Sequence, residues 1–69
     1  MESILTKINI NTASVDELVL LPGIGTKTAE KIIEYRESKG KIRALTDLLK
    51  VQGIGEKKLK KIEEFLIIE

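Results

Sequence analysis

The chain has no cysteine, histidine or tryptophan, and only Tyr35 and Phe65 among its 69 residues are aromatic. Without cysteine there is neither a disulfide framework nor a thiolate nucleophile, and the redox compartment leaves no mark. Without histidine or cysteine the usual zinc ligands are gone, so no metal site is expected. Two aromatics cannot build a base-stacking platform, which argues against sequence-specific recognition of single strands. No apolar run is long enough to span a bilayer, and no basic start with an apolar middle marks a signal peptide. No carboxylate pair, metal cluster or nucleophile–base pair stands out, so neither catalysis nor a cofactor is expected. Charge of one sign is scarce overall, since twelve bases against eleven acids leave +1.

What the chain does have is a repeat. Leu21-Pro22-Gly23-Ile24-Gly25-Thr26-Lys27-Thr28-Ala29-Glu30-Lys31-Ile32 is followed, thirty residues on, by Val51-Gln52-Gly53-Ile54-Gly55-Glu56-Lys57-Lys58-Leu59-Lys60-Lys61-Ile62. Both glycines, the isoleucine between them, two lysines and the last isoleucine recur unchanged, and Val15-Asp16-Glu17-Leu18 lies over Leu45-Thr46-Asp47-Leu48. A repeat of this length dictates architecture: two copies of one helix-turn-helix unit. Pro22 presets φ for the first central position of a turn and Gly23 tolerates φ > 0 at the second. A helix starting straight after such a turn offers unpaired N–H groups and a partial positive charge, which suits an anion. Lys27 and Lys57 stand in those first turns, where helix stability alone would favour an acid.

The paired motifs resemble the helix-hairpin-helix family, whose hairpin reads Pro-Gly-Ile-Gly followed by a lysine. Two tandem copies preceded by Asn11-Thr12-Ala13-Ser14 and Glu17-Leu18 look like the DNA-binding domain of the ComEA competence proteins. The resemblance covers about residues 8–66. It implies a tandem domain that binds double-stranded DNA without sequence preference, each hairpin gripping the backbone across the minor groove. It also implies a DNA-uptake or repair-accessory setting. ComEA proteins usually carry an N-terminal membrane anchor, so the chain is read either as an excised domain, from the cell surface or periplasm, or as a free-standing, cytoplasmic relative.

The expected fold is all-α: a compact bundle of four to five short helices, with two units related by pseudo-twofold symmetry. Residues 1–7 are expected to be frayed and 8–69 to form the domain, with repeat one at about 14–39 and repeat two at about 44–66. Ile8-Asn9-Ile10-Asn11 alternates as an extended lead-in. Ser14 and Glu17 form a capping box that starts a helix at about Val15, and Pro22 stops it. The second helix is expected over 26–38 and the fourth over 56–66, the latter facing inward through Leu59, Ile62, Phe65 and Leu66. Ala44 replaces Ser14, so the third helix loses a cap and either starts less firmly or borrows Thr46. Ile67-Ile68 either extends the last helix or lies beside Ile8 and Ile10.

The expected DNA contacts are Gly23, Ile24, Gly25, Thr26, Lys27 and Lys31 in the first unit. In the second they are Gly53, Ile54, Gly55, Lys57, Lys58 and Lys61. Charge is concentrated there: between Lys50 and Lys61 five lysines face one acid, Glu56. Lys27/Lys31 and Lys57/Lys61 are like-charge i, i+4 pairs, each costing an isolated helix ~0.2–0.5 kcal/mol. Against this stands a solvated face, with Glu30 and Glu34 neutralising the first pair and Glu64 meeting Lys60. The expected partner is double-stranded DNA, with a protein as a further partner, and the chain is expected to be monomeric when free. The alternative function is a helical protein-interaction module that binds no nucleic acid.

Overall fold

The structure, a computed structural model, describes residues 7–69. The expected frayed stretch therefore lies outside the described residues, apart from Lys7. In chain order the elements are β1 (Ile8–Asn9), α1 (Val15–Leu18), α2 (Thr26–Lys39), a 3₁₀ helix (Leu45–Lys50), α3 (Glu56–Ile62) with a 3₁₀ turn Glu63–Phe65, and β2 (Leu66–Ile67). The fold is all-α, as expected, with one small parallel pairing of Ile8 with Leu66 and Asn9 with Ile67. This pairing resolves the alternatives for the C-terminal isoleucines: the chain leaves the helix and lies beside β1. Ile10 N–H adds a bond to Ile67 O at 3.1 Å.

The repeat governs burial position by position. Leu18 and Leu48, Leu21 and Val51, Ile24 and Ile54, Ala29 and Leu59, and Ile32 and Ile62 are all buried. Ile10, Ala13, Ile42 and Leu66, outside the repeat pairs, complete the same buried cluster. Each fully buried leucine or isoleucine contributes roughly 1.5–3 kcal/mol, so one shared core holds both units. Phe65 departs from expectation: it is 44% exposed, because the helix tightens to a 3₁₀ turn there and rotates it outward. Its counterpart Tyr35 is half-buried against the core edge.

Both helices that lead into a hairpin are capped by side chains. At α1, Ser14 N–H donates to Glu17 Oε1 (2.9 Å) and Glu17 N–H to Ser14 Oγ (3.3 Å). At the 3₁₀ helix, Asp47 Oδ2 accepts from the N–H groups of Arg43 (3.1 Å) and Ala44 (3.3 Å). The side chain that bonds the backbone at this helix start is Asp47 and not Thr46. Ala44 has no side-chain oxygen to return the bond, and the segment winds as 3₁₀ rather than α. Only half of the reciprocal cap survives in the second unit.

Asn11 brackets the link between units. Its Nδ2 donates to Ile42 O (2.9 Å) and to Glu69 O (3.1 Å), and Ile42 N–H donates to its Oδ1 (2.7 Å). One side chain therefore pairs with Ile42 as a neighbouring strand would. Arg36 adds a bond to Ile10 O at 2.9 Å. Asn11→Ala strands both polar groups of Ile42, whose side chain is fully buried, and should cost about 1–3 kcal/mol. Urea denaturation measures this, and a loss under ~0.5 kcal/mol would show that solvent replaces the bracket.

Candidate nucleic-acid interface

Each hairpin is a four-residue turn closed by a backbone hydrogen bond. Ile24 N–H donates to Leu21 O and Ile54 N–H to Val51 O, both at 3.1 Å. Gly23 has φ +80° and Gly53 φ +101°, the third-position geometry of a type II turn, where L side chains are strained. Pro22 and Gln52 occupy the position before each glycine. Ile24 and Ile54, expected among the contact residues, turn inward instead. Each is 4% exposed and each has its N–H engaged. Their side chains act as pegs that fix the turn, and their N–H groups are already bonded within the chain.

The next glycine is different. Gly25 caps α2 with φ −95°, and Gly55 caps α3 with φ −103°. Any residue adopts these values, and a Cβ at either position would meet nothing within 4 Å. The fold does not require glycine there. Neither helix start has a side-chain cap, although Ser, Thr, Asp or Asn at such a position is the ordinary solution. The first intrahelical bonds are Ala29 N–H to Gly25 O and Leu59 N–H to Gly55 O, both 2.9 Å. Upstream of them, among the described residues, the N–H groups of Gly23, Gly25, Thr26, Lys27 and Thr28 have no protein acceptor. The same holds for Gly53, Gly55, Glu56, Lys57 and Lys58.

The two hairpins lie against each other. A Cβ on Gly23 would fall 3.3 Å from Lys58 Cε, and one on Gly53 would fall 3.1 Å from Thr28 Oγ1. Thr28 and Lys58 are thirty residues apart, so the contact is reciprocal, as a pseudo-twofold axis requires. A hollow of about 390 Å³ between α2 and the second turn is lined by Lys27, Thr28, Lys31, Gln52 and Gly53.

Around this face Thr26, Lys27, Lys31, Lys57 and Lys61 are exposed, with Lys58 half-buried. Lys31 lies 3.7 Å from Glu34, both largely exposed, and such a pair contributes ~0–1 kcal/mol. Among the described residues Lys27, Lys57, Lys58, Lys60 and Lys61 have no carboxylate within 4 Å, so neither Glu30 nor Glu64 neutralises them there. Glu56 places one acid in the first turn of α3, whereas α2 has none. Thr28, read from the sequence as an ordinary helix-start threonine, and Gln52, not singled out there, both line this hollow. The signal available for Thr28 was its register with Lys58, since equivalent positions in a twofold pair meet the other unit alike.

With this geometry in hand, comparison with known proteins is direct. The family model described as the helix-hairpin-helix motif matches residues 4–67. The chain belongs to the helix-hairpin-helix family. It is 44% identical over 62 residues to ComE operon protein 1 of Bacillus subtilis, covering 90% of this chain and 30% of that protein. It is 42% identical over 57 residues to human endonuclease/exonuclease/phosphatase family domain-containing protein 1, covering 83% of this chain and 10% of that protein. A Haemophilus influenzae protein without an assigned role is 47% identical over 62 residues, covering 88% of this chain and 55% of that protein. The chain therefore spans only part of the length of these relatives.

The two turn glycines should differ in tolerance. Gly53→Ala drives a Cβ toward Thr28, a β-branched side chain fixed on a helix, while Gly23→Ala meets the flexible stem of Lys58. Both carry the ~1–2 kcal/mol cost of a left-handed alanine. Gly53→Ala should be the more destabilising in chemical denaturation; the reverse order would contradict the packing described.

Proposed function

We propose that the chain is a non-catalytic module that binds double-stranded DNA through its phosphate backbone, irrespective of sequence, with one phosphate at each hairpin. The observation that carries this is the contrast in capping. At the starts of the two helices before the hairpins Ser14, Glu17 and Asp47 supply side-chain hydrogen bonds to the backbone, while the two after them begin at unforced glycines with none. Backbone N–H groups at a helix start favour phosphate, and the exposed lysines beside them add attraction without reading bases. No arginine or asparagine cluster faces out beside the hairpins, so the base edges are left unread. Family membership and the likeness to a ComE operon protein support the same reading and favour DNA uptake as its setting, with a repair accessory as the alternative.

Binding should be weak, roughly 10⁻⁴–10⁻⁶ M at physiological salt, and each neutralised phosphate adds about −0.9 to the slope of log K against log salt. A salt titration with random-sequence duplex tests the reading: two hairpin phosphates require a slope of at least about −1.8. Affinity indifferent to salt would end it.

Gly25→Ser with Gly55→Ser separates fold from function. Serine closes the helix starts from within, so stability should stay level or rise by a few tenths of a kcal/mol. DNA affinity should fall about tenfold or more, since hydrogen bonds to a charged group are worth ~1.5–3 kcal/mol. Undiminished affinity in a folded double variant would mean that the phosphates are held elsewhere.

One observation favours the rival protein-interaction reading. A groove of about 350 Å³ is lined by Ile8, Leu20, Leu21, Pro22 and Phe65, with Lys7 and Glu17 at its edge, and Leu20 is 76% exposed. Lys57→Glu with Lys61→Glu distinguishes the two. It should abolish duplex binding under the proposed function, and it should leave binding to an apolar partner intact under the rival.

A further inference from the structure

Position 58 breaks the symmetry of the interlocked hairpins. The side chain of Lys58 starts on α3 but runs over the first hairpin: its Cε, Cδ and Cγ lie 3.3, 3.8 and 3.9 Å from where a Gly23 Cβ would stand. The missing Cβ makes room for this stem. A lysine laid along a surface in this way keeps its methylenes covered and its ammonium in water. The ammonium, one bond beyond Cε, is thereby held beside Gly23, whose N–H has no protein acceptor among the described residues. Across the axis the same position is Thr28, which offers the second hairpin a hydroxyl and no charge. The hollow at that hairpin is likewise shared, since Lys27, Thr28 and Lys31 come from the first unit and Gln52 and Gly53 from the second.

We propose that Lys58 is a DNA-contact residue of the first hairpin, donated across the pseudo-twofold axis, so that the first phosphate grip is assembled from both units. This rests on the DNA-binding reading above and deepens it. The two grips are then unequal: the first gains a full charge from the opposite unit, the second a hydroxyl. An isolated first unit, with its turn intact, would lack part of its own site.

The test uses the full chain, isotopically labelled, and random-sequence duplex as probe, following the amide signals of Gly23, Gly25, Gly53 and Gly55. Lys58→Met keeps the stem over Gly23 and removes the charge, while Lys58→Arg restores it. Lys58→Met should weaken binding about five- to tenfold at 0.1 M salt and reduce the salt slope by about 0.9, as for one lost phosphate contact. The DNA-induced shifts should shrink at Gly23 and Gly25, persist at Gly53 and Gly55, and recover in Lys58→Arg. Loss confined to Gly53 and Gly55, or equal at both hairpins, would overturn the cross-unit assignment and leave the DNA-binding reading standing. No shift at any of the four glycines in the unsubstituted chain would remove that reading, and this inference with it.

Discussion

The interface depends on an apolar side chain at the centre of each turn. Ile24 and Ile54 are drawn into the core while their N–H groups close the hairpin onto Leu21 and Val51. Once that peg is seated, the preceding residue has no choice but a positive φ, which glycine supplies without strain. The following residue is thrown outward into extended backbone and becomes the start of a helix. Burial of one side chain therefore orients a row of backbone donors. The donors cannot retract without unseating a side chain whose burial contributes roughly 1.5–3 kcal/mol.

Because the peg occurs twice in one core, the two rows of donors are fixed relative to each other. Buried residues of both units belong to one cluster with Ile10, Ala13, Ile42 and Leu66, and the Asn11 bracket holds the connecting segment at Ile42. The contacts of Gly23 with Lys58 and of Gly53 with Thr28 bring the hairpins to one side. On the proposed function, this rigidity is what lets two weak contacts act together. The second phosphate is met by a site already in place, so little ordering is lost on binding.

Much of this was legible in the sequence, because a thirty-residue repeat constrains everything it covers. The glycine spacing, the capping box at Ser14 and Glu17, and the inward face of each helix follow from local rules that tertiary context did not override. The departures have identifiable causes. Phe65 lies where the helical period itself changes, so extrapolating the α-helical face buried it wrongly. The third segment became 3₁₀ because alanine replaced the capping serine and Asp47 answered from the far side. Ile24 and Ile54 were grouped with the contacts by their place in the motif, and adjacency in a motif says nothing about which atoms stay free. The pairing of β2 with β1 is a contact between chain ends, which no local window reports. The reach of Lys58 over Gly23 is likewise non-local, although the repeat register held the means of anticipating it.

A net charge of +1 fits poorly with a polyanion partner until the acids are placed. Glu17 and Asp47 are turned onto the N–H groups of helix starts, at 2.9 Å from Ser14 N and at 3.1 and 3.3 Å from Arg43 N and Ala44 N. They answer the backbone of the pre-hairpin helices instead of the lysines of the post-hairpin ones. Surface charges further apart than about 10 Å are screened at ordinary salt, so what a partner meets is the local set at the hairpins rather than the sum over the chain. The molecule thereby displays both halves of one interaction. Where a carboxylate belongs to the chain, it satisfies the helix start from within. Where glycine leaves the helix start without a side-chain cap and lysines gather beside it, the proposed function has a phosphate diester supply the acceptor from outside.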